Sequence, residues 1–194
     1  LLIYELNRAR DNPVRYAQEN GLGTLLDGVA PSPPLAVNNA LVGSASWHAE
    51  DMADRDYFAH QADPPDSRWP NQVALDAGYN HPWIGADNYI ESLAAGYLDV
   101  QAALRGLIED AGVTPPGHRE HLLATGPSAS FWLQHREIGT GYDLNLTSTY
   151  DRYYAIHTAY INTTDLFLTG VVYNDLNGNG RYDLAEGLGG VTVS

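Results

Sequence analysis

The spacing of apolar residues changes once along this chain, after Gly126, and that change limits the fold more than any other feature. Before it, apolar residues recur three and four positions apart in short runs broken by Gly, Pro and Asn, the mark of amphipathic helices. After it, REIGTGYDLNL and YDRYYAIHTAYIN alternate and are rich in aromatic and β-branched residues. They predict two strands, antiparallel neighbours. Helices first and strands later predict an α+β domain with helices packed on a small antiparallel sheet.

The central helical stretch runs from Asn38 to His60. Leu41, Ala45, His48 and Met52 recur at helical spacing, so three apolar residues and one imidazole share the inward face. Asn38 and Asn39 are placed to cap its start, and Tyr57 and Phe58 anchor its end. Helices are also expected over Leu1 to Arg10, with Leu2, Leu6 and Ala9 inward, and from Asn12-Pro13 through Tyr16. Further helices are expected over Trp69 to Ala77, over Tyr97 to Ala111 with Val100, Leu104, Leu107 and Ile108 inward, and over His118 to Ala124. From His81 to Gly96 the pattern is irregular. Asn162-Thr-Thr-Asp165 marks a boundary between a domain at 1–165 and an incomplete module at 166–194, so the chain reads as an excerpt from a longer polypeptide.

The 24 acids face ten basic residues, all arginine, for a net charge of −14. A nucleic-acid partner is excluded, because the electrostatic footprint has the wrong sign. The absence of cysteine removes disulfides, thiol catalysis and thiolate zinc sites. Histidine–carboxylate and calcium sites remain open. No apolar run approaches the roughly 20 residues of a membrane span.

The sharpest short motif is Asp175-Leu-Asn177-Gly-Asn179-Gly180-Arg181-Tyr-Asp183-Leu-Ala-Glu186, which fits D-x-[DN]-x-[DN]-G-x₅-E. In a calcium loop Asp175, Asn177 and Asn179 give side-chain oxygens, Arg181 its carbonyl, Asp183 a direct or water-bridged contact and Glu186 two oxygens. The context differs from an EF-hand. TGVVYND and GGVTVS on either side read as strands, a pattern that resembles the B-type β-domains of serine-aspartate-repeat adhesins.

LNRARDNP, PLAVNNAL, HAEDMADRDYFAH, AGY, ESLAAG, GHREHLL and EIGTGY, in that order, resemble the bacterial branch of the CAP superfamily (cysteine-rich secretory, antigen 5 and pathogenesis-related 1 proteins; SCP-like). The likeness covers roughly residues 1 to 165. It implies an α-β-α sandwich, secretion, and a shallow cleft holding two histidines and two acids. Carried onto this chain, the histidines are His48 and His118, and the first acid is Glu91, with Asp87 as a competing alignment. The second acid is Asp110, with Glu109 beside it. The stretch DAGVTPP is inserted before GHR, and Val37 stands where the family has a tryptophan.

Two imidazoles with carboxylates suit zinc, and an open coordination position would permit water activation. The same four groups also suit metal-free general acid–base chemistry. His60 is expected to be a structural partner at the helix end and His121 to lie on a solvated face, while His81, His135 and His157 carry no motif. No nucleophile elbow is present around Ser128 or Ser130.

The resulting expectation is a secreted or cell-surface bacterial CAP domain, a binding or structural module with extracellular protein or glycan partners, joined to a calcium-binding tail. The alternatives are a metal-dependent extracellular hydrolase using His48, Glu91 and His118, and a lipid- or sterol-binding protein as the family resemblance allows.

Overall fold

The computed structural model describes residues 1–82, 88–161 and 166–192. Asp87 and the boundary at Asn162–Asp165 lie outside the described residues. In chain order the elements are α1 (Leu2–Asp11), α2 (Pro13–Glu19), β1 (Ala36–Val37), α3 (Asn39–Arg55), α4 (Pro70–Asp76) and β2 (Glu91–Ala95). They continue with α5 (Val100–Glu109), α6 (Gly117–Leu123), α7 (Ala129–Trp132), β3 (Glu137–Leu144) and β4 (Arg152–Ala159). The expected helices are present, with ends shifted by a few residues.

Local chemistry sets several of these ends. The Asn38 side chain accepts from the Ala40 and Leu41 N–H groups at 2.9 and 3.4 Å and opens α3, while Asp99 accepts from Ala102 and opens α5. Pro13 and Pro70 stand in first turns, where their missing N–H costs nothing. Asp110 closes α5 in the left-handed conformation at φ 49°.

The sheet has the order β1-β3-β4-β2. β3 and β4 are antiparallel neighbours, as expected; β2, in a stretch the sequence left irregular, also runs antiparallel to β4, and the two-residue β1 adds a parallel edge beside β3. Side chains alternate between the two faces of the sheet. Ala94, Ile138, Tyr154 and Ile156 pack against α1, α5 and α6, while Leu93, Tyr153 and Ala155 pack against α3. Helices therefore cover both faces, and the architecture is an α-β-α sandwich. Leu6, Leu41, Leu104, Ile138 and Ile156 are 0% exposed, and burying each contributes about 2 kcal/mol.

Two glycines allow α3 to sit directly on β3. A Cβ at Gly139 would overlap the Leu41 backbone, and one at Gly141 would overlap Ala45. The close approach fixes α3 over the sheet and carries His48, one turn beyond Ala45, onto the same face as Glu91.

In the tail, the strands expected around the acidic loop reduce, among the described residues, to one antiparallel bridge, Tyr173 with Gly187. A two-strand ribbon has little stability of its own without further strands to cover it. The tail docks on the first helices. Tyr182 N–H donates to the Tyr4 hydroxyl at 3.1 Å, their rings meet edge to face at 5.5 Å, and Arg181 pairs with Glu19 at 2.9 Å.

Candidate functional site

Glu91 opens β2 with its carboxylate turned toward α3 and wholly buried. Three imidazoles converge on it. His48 Nδ1 and His157 Nε2 lie 2.5 and 2.7 Å from Oε2, and His60 Nδ1 lies 2.8 Å from Oε1. A carboxylate only accepts, so each facing nitrogen carries its proton. His157 is held from its other side by Ser44 Oγ at 2.8 Å.

The electrostatics divide these rings. Burial raises the Glu91 carboxyl, but His48, His157 and His60 outweigh it and hold the group well below its ordinary value. Burial likewise opposes charge on His48, yet the Glu91 carboxylate, helped by Asp51 and the Ala59 backbone, raises that imidazole. His48 Nε2 is nonetheless buried without a hydrogen bond of normal geometry. For His157 burial prevails, and its value is lowered. The Glu91 carboxylate thus favours the protonated form of His48, while burial favours the neutral form of His157.

The second acid–imidazole pair lies at the start of α6. His118 Nδ1 is 2.8 Å from Asp110 Oδ1, and Asp110 Oδ2 accepts from the His118 backbone N–H at 3.0 Å. The inserted DAGVTPP loops out and returns, so Asp110 both ends α5 and caps α6. Asp110 therefore meets His118, and Glu109 stays exposed.

The described structure brings the sequence candidates together as His48 with Glu91 and Asp110 with His118. The rings open to solvent are His60 and His118, whose side chains are 36% and 30% exposed, against 1% for His48. His118 borders a groove of about 310 Å³ with Phe58, Leu93, Ala95, Tyr97 and Asp110 among its walls.

His48, Glu91 and His157 carry ligand atoms within 4.8 Å of one another, a composition that suits zinc. Their facing protons already bond the carboxylate, so an ion there would have to displace them. His60 and His118 are the imidazoles more open to solvent. Each gives its Nδ1–H to a carboxylate, the arrangement that orients metal-bound histidines, and leaves Nε2 as the coordinating nitrogen.

In the tail, Asp175 accepts from the Asn179 and Gly180 N–H groups at 3.1 and 2.8 Å, and Gly180 turns the chain at φ 73°. Glu186, 4% exposed, takes Leu176 N–H and Asp183 N–H, both at 2.9 Å. Asp183 accepts from Asn177 and Asn179, which lower its carboxyl. Arg181 N–H bonds Asn179 Oδ1 at 2.8 Å. Side-chain-to-backbone and amide–carboxylate hydrogen bonds thus hold the motif residues in one tight loop.

Three histidine readings need correction or completion. His121, expected on a solvated face, is buried, with Ser92 Oγ at 2.7 Å from Nδ1 and Thr158 Oγ1 at 2.6 Å from Nε2. His60 is a direct partner of Glu91 as well as the end of the α3 segment. His157 had no motif because strand pairing delivers it: it lies opposite Glu91 in the β2–β4 register. Its only sequence signal was parity, since it shares a face with Tyr153 and Ala155.

No protein-family model matches the sequence, and no curated protein does. Two solved structures are similar. An extracellular protein containing an SCP domain from Bacillus anthracis str. Ames matches at 24% identity over 66% of this chain and 34% of that one, with TM-score 0.47. An outer surface protein from Borrelia burgdorferi matches at 16% identity over 77% of this chain and 91% of that one, with TM-score 0.46. The chain therefore spans 34% of the length of the first of these.

Proposed function

We propose that this chain is a secreted or cell-surface binding module of CAP type whose cleft holds a divalent ion and whose tail loop binds calcium. The observation that carries the cleft reading is the pair of carboxylate–imidazole contacts on half-exposed rings, His60 with Glu91 and His118 with Asp110. In this reading His60 takes the cleft-histidine role that the sequence resemblance gave to His48, and the buried His48 and His157 hold Glu91 in place. The order of sequence motifs supports CAP membership, and the surface and extracellular descriptions of the two similar structures accord with a place outside the cell.

Zinc bound there would supply Lewis-acid chemistry. The chain's own residues would bind it through His60 and His118, orient those rings through Glu91 and Asp110, and bring the groove beside it. The hydrolase reading uses the same residues and requires an open coordination position. Calcium would be held by Asp175, Asn177, Asn179, the Arg181 carbonyl, Asp183 and Glu186, stiffening a tail that otherwise has one bridge.

Calorimetric titration tests both ions. Zinc should bind the wild type with one-site stoichiometry, and His60→Ala and His118→Ala should each weaken it at least tenfold. Calcium should bind independently of those two changes and be lost in Glu186→Ala. Equal zinc heats in all the variants would refute the cleft reading, and equal calcium heats the tail reading.

A further inference from the structure

Among the described residues β2 is an edge strand, and its outer side lies in the groove beside His118. Directly opposed residues in an antiparallel ladder alternate between bonded and non-bonded pairs. Thr158 N–H donates to Ile90 O at 2.7 Å and Gly96 N–H to Arg152 O at 2.9 Å, so positions 90, 92, 94 and 96 face β4. The N–H and C=O groups of Glu91, Leu93 and Ala95 therefore point the other way.

Glu91 is already served on that side. Asn88 Oδ1 accepts its N–H and Asn88 Nδ2 donates to its C=O, both at 2.8 Å, so one side chain stands in for a neighbouring strand. Among the described residues Leu93 and Ala95 have no such substitute. Both line the groove. An open strand edge is a template for another chain unless it is covered or blunted.

The walls suit one kind of occupant. Phe58, 42% exposed, stands on the α3 side, and Tyr97, Leu107 and Val113 stand on the α5–α6 side. They would receive the alternate side chains of an added strand. Glu109 and Asp110 line the same groove in a chain of net charge −14, which favours a cationic ligand.

We infer that the groove captures an extended peptide carrying basic residues, which joins the sheet as a strand on the free edge of β2 and passes beside His118. This rests on the reading of the chain as a binding module and names its ligand class. Main-chain bonds to Leu93 and Ala95 supply the pairing, and pockets on either side select alternate residues. No metal is needed for the pairing itself.

The test uses the whole chain against an array of random dodecapeptides, in the presence of a chelator. Retained peptides should be rich in Lys or Arg and alternate in hydrophobicity. An N-methyl scan of one retained peptide should then show a period of two: methylation of amides facing β2 should cost about tenfold in affinity, and of the intervening amides little. Ala95→Pro removes one outward N–H without touching the β4 ladder and should weaken capture by a similar factor. The N-methyl scan is made on unaltered protein and decides the matter even if that variant fails to fold. No retained peptide, uniform loss at every methylated position, or retention of acidic peptides alone would overturn the inference. Because the assay runs without metal, its failure and the failure of the zinc titration are separable.

Discussion

His48 Nδ1 and Glu91 Oε2 lie 2.5 Å apart with both side chains shut away from solvent. Taking charge out of water is costly, so such a pair persists only with close geometry and further hydrogen bonds, here from His157 and His60. Glu91→Gln removes the charge that three imidazoles share and presents an amide N–H to one of them. Urea unfolding at neutral pH should show a loss of about 3 kcal/mol. A loss below about 1 kcal/mol would mean that the cluster is not a charge pair.

Acid should destabilise the protein through its buried neutral histidines. Burial holds His121 well below its ordinary value, with His135 adding to the effect, and pushes His135 down to about 3; burial also lowers His157. Below about pH 6.5 the unfolded chain takes up protons that the folded chain refuses, so stability falls as pH drops. The slope is up to about 1.4 kcal/mol per pH unit for each such group. His48 works in the opposite sense, because its raised value gives stability that is lost as pH rises through its folded value. Urea midpoints measured from pH 7 to 5 should therefore decline in the wild type and decline less steeply in His121→Gln.

The contact between α3 and β3 depends on the absence of two side chains. Gly139→Ala and Gly141→Ala each force a Cβ into the helix backbone, which cannot give way as a flexible side chain would. A loss of about 2–3 kcal/mol is expected for either, read as a lowered urea midpoint. Gly43→Ala is the control. It meets open space, and its midpoint should hold or rise slightly.

The helices and the β3–β4 pair were legible in the sequence because each buries a face with its own period. β2 was not, because ESLAA is short and poor in β-branched residues, and its strand character comes from pairing with β4. The site divides along the same line. Glu91 and His118 stand in recognisable local motifs and Asp110 was one of two adjacent acids the resemblance offered, whereas His157 reaches Glu91 through strand register and His60 through the fold-back of the segment after α3. Sequence spacing carries no record of either distance. His48 lies on the buried face of α3, as its spacing indicated, and the solvent-open imidazole on Glu91 is His60.

Calcium should order the tail and leave the sandwich unchanged. Asp175, Asp183 and Glu186 are brought into one loop, so a cation bound only by the folded form stabilises it by about 2.7 kcal/mol at a hundredfold excess over Kd. Limited proteolysis should cut within 166–192 faster in chelator than in calcium, and Asp175→Ala should abolish the difference. Because Arg181 and Tyr182 lie inside the loop and touch Glu19 and Tyr4, cleavage there should also release the tail from α1 and α2.

The central claim is that one divalent ion sits between His60 and His118. Crystals soaked in zinc, with anomalous data collected on both sides of the zinc edge, test it most directly. The account predicts a single cleft peak at about 2.1 Å from Nε2 of both rings, with Glu91 and Asp110 still on their Nδ1 atoms. A cleft without a peak, or a peak among His48, Glu91 and His157 instead, would contradict it.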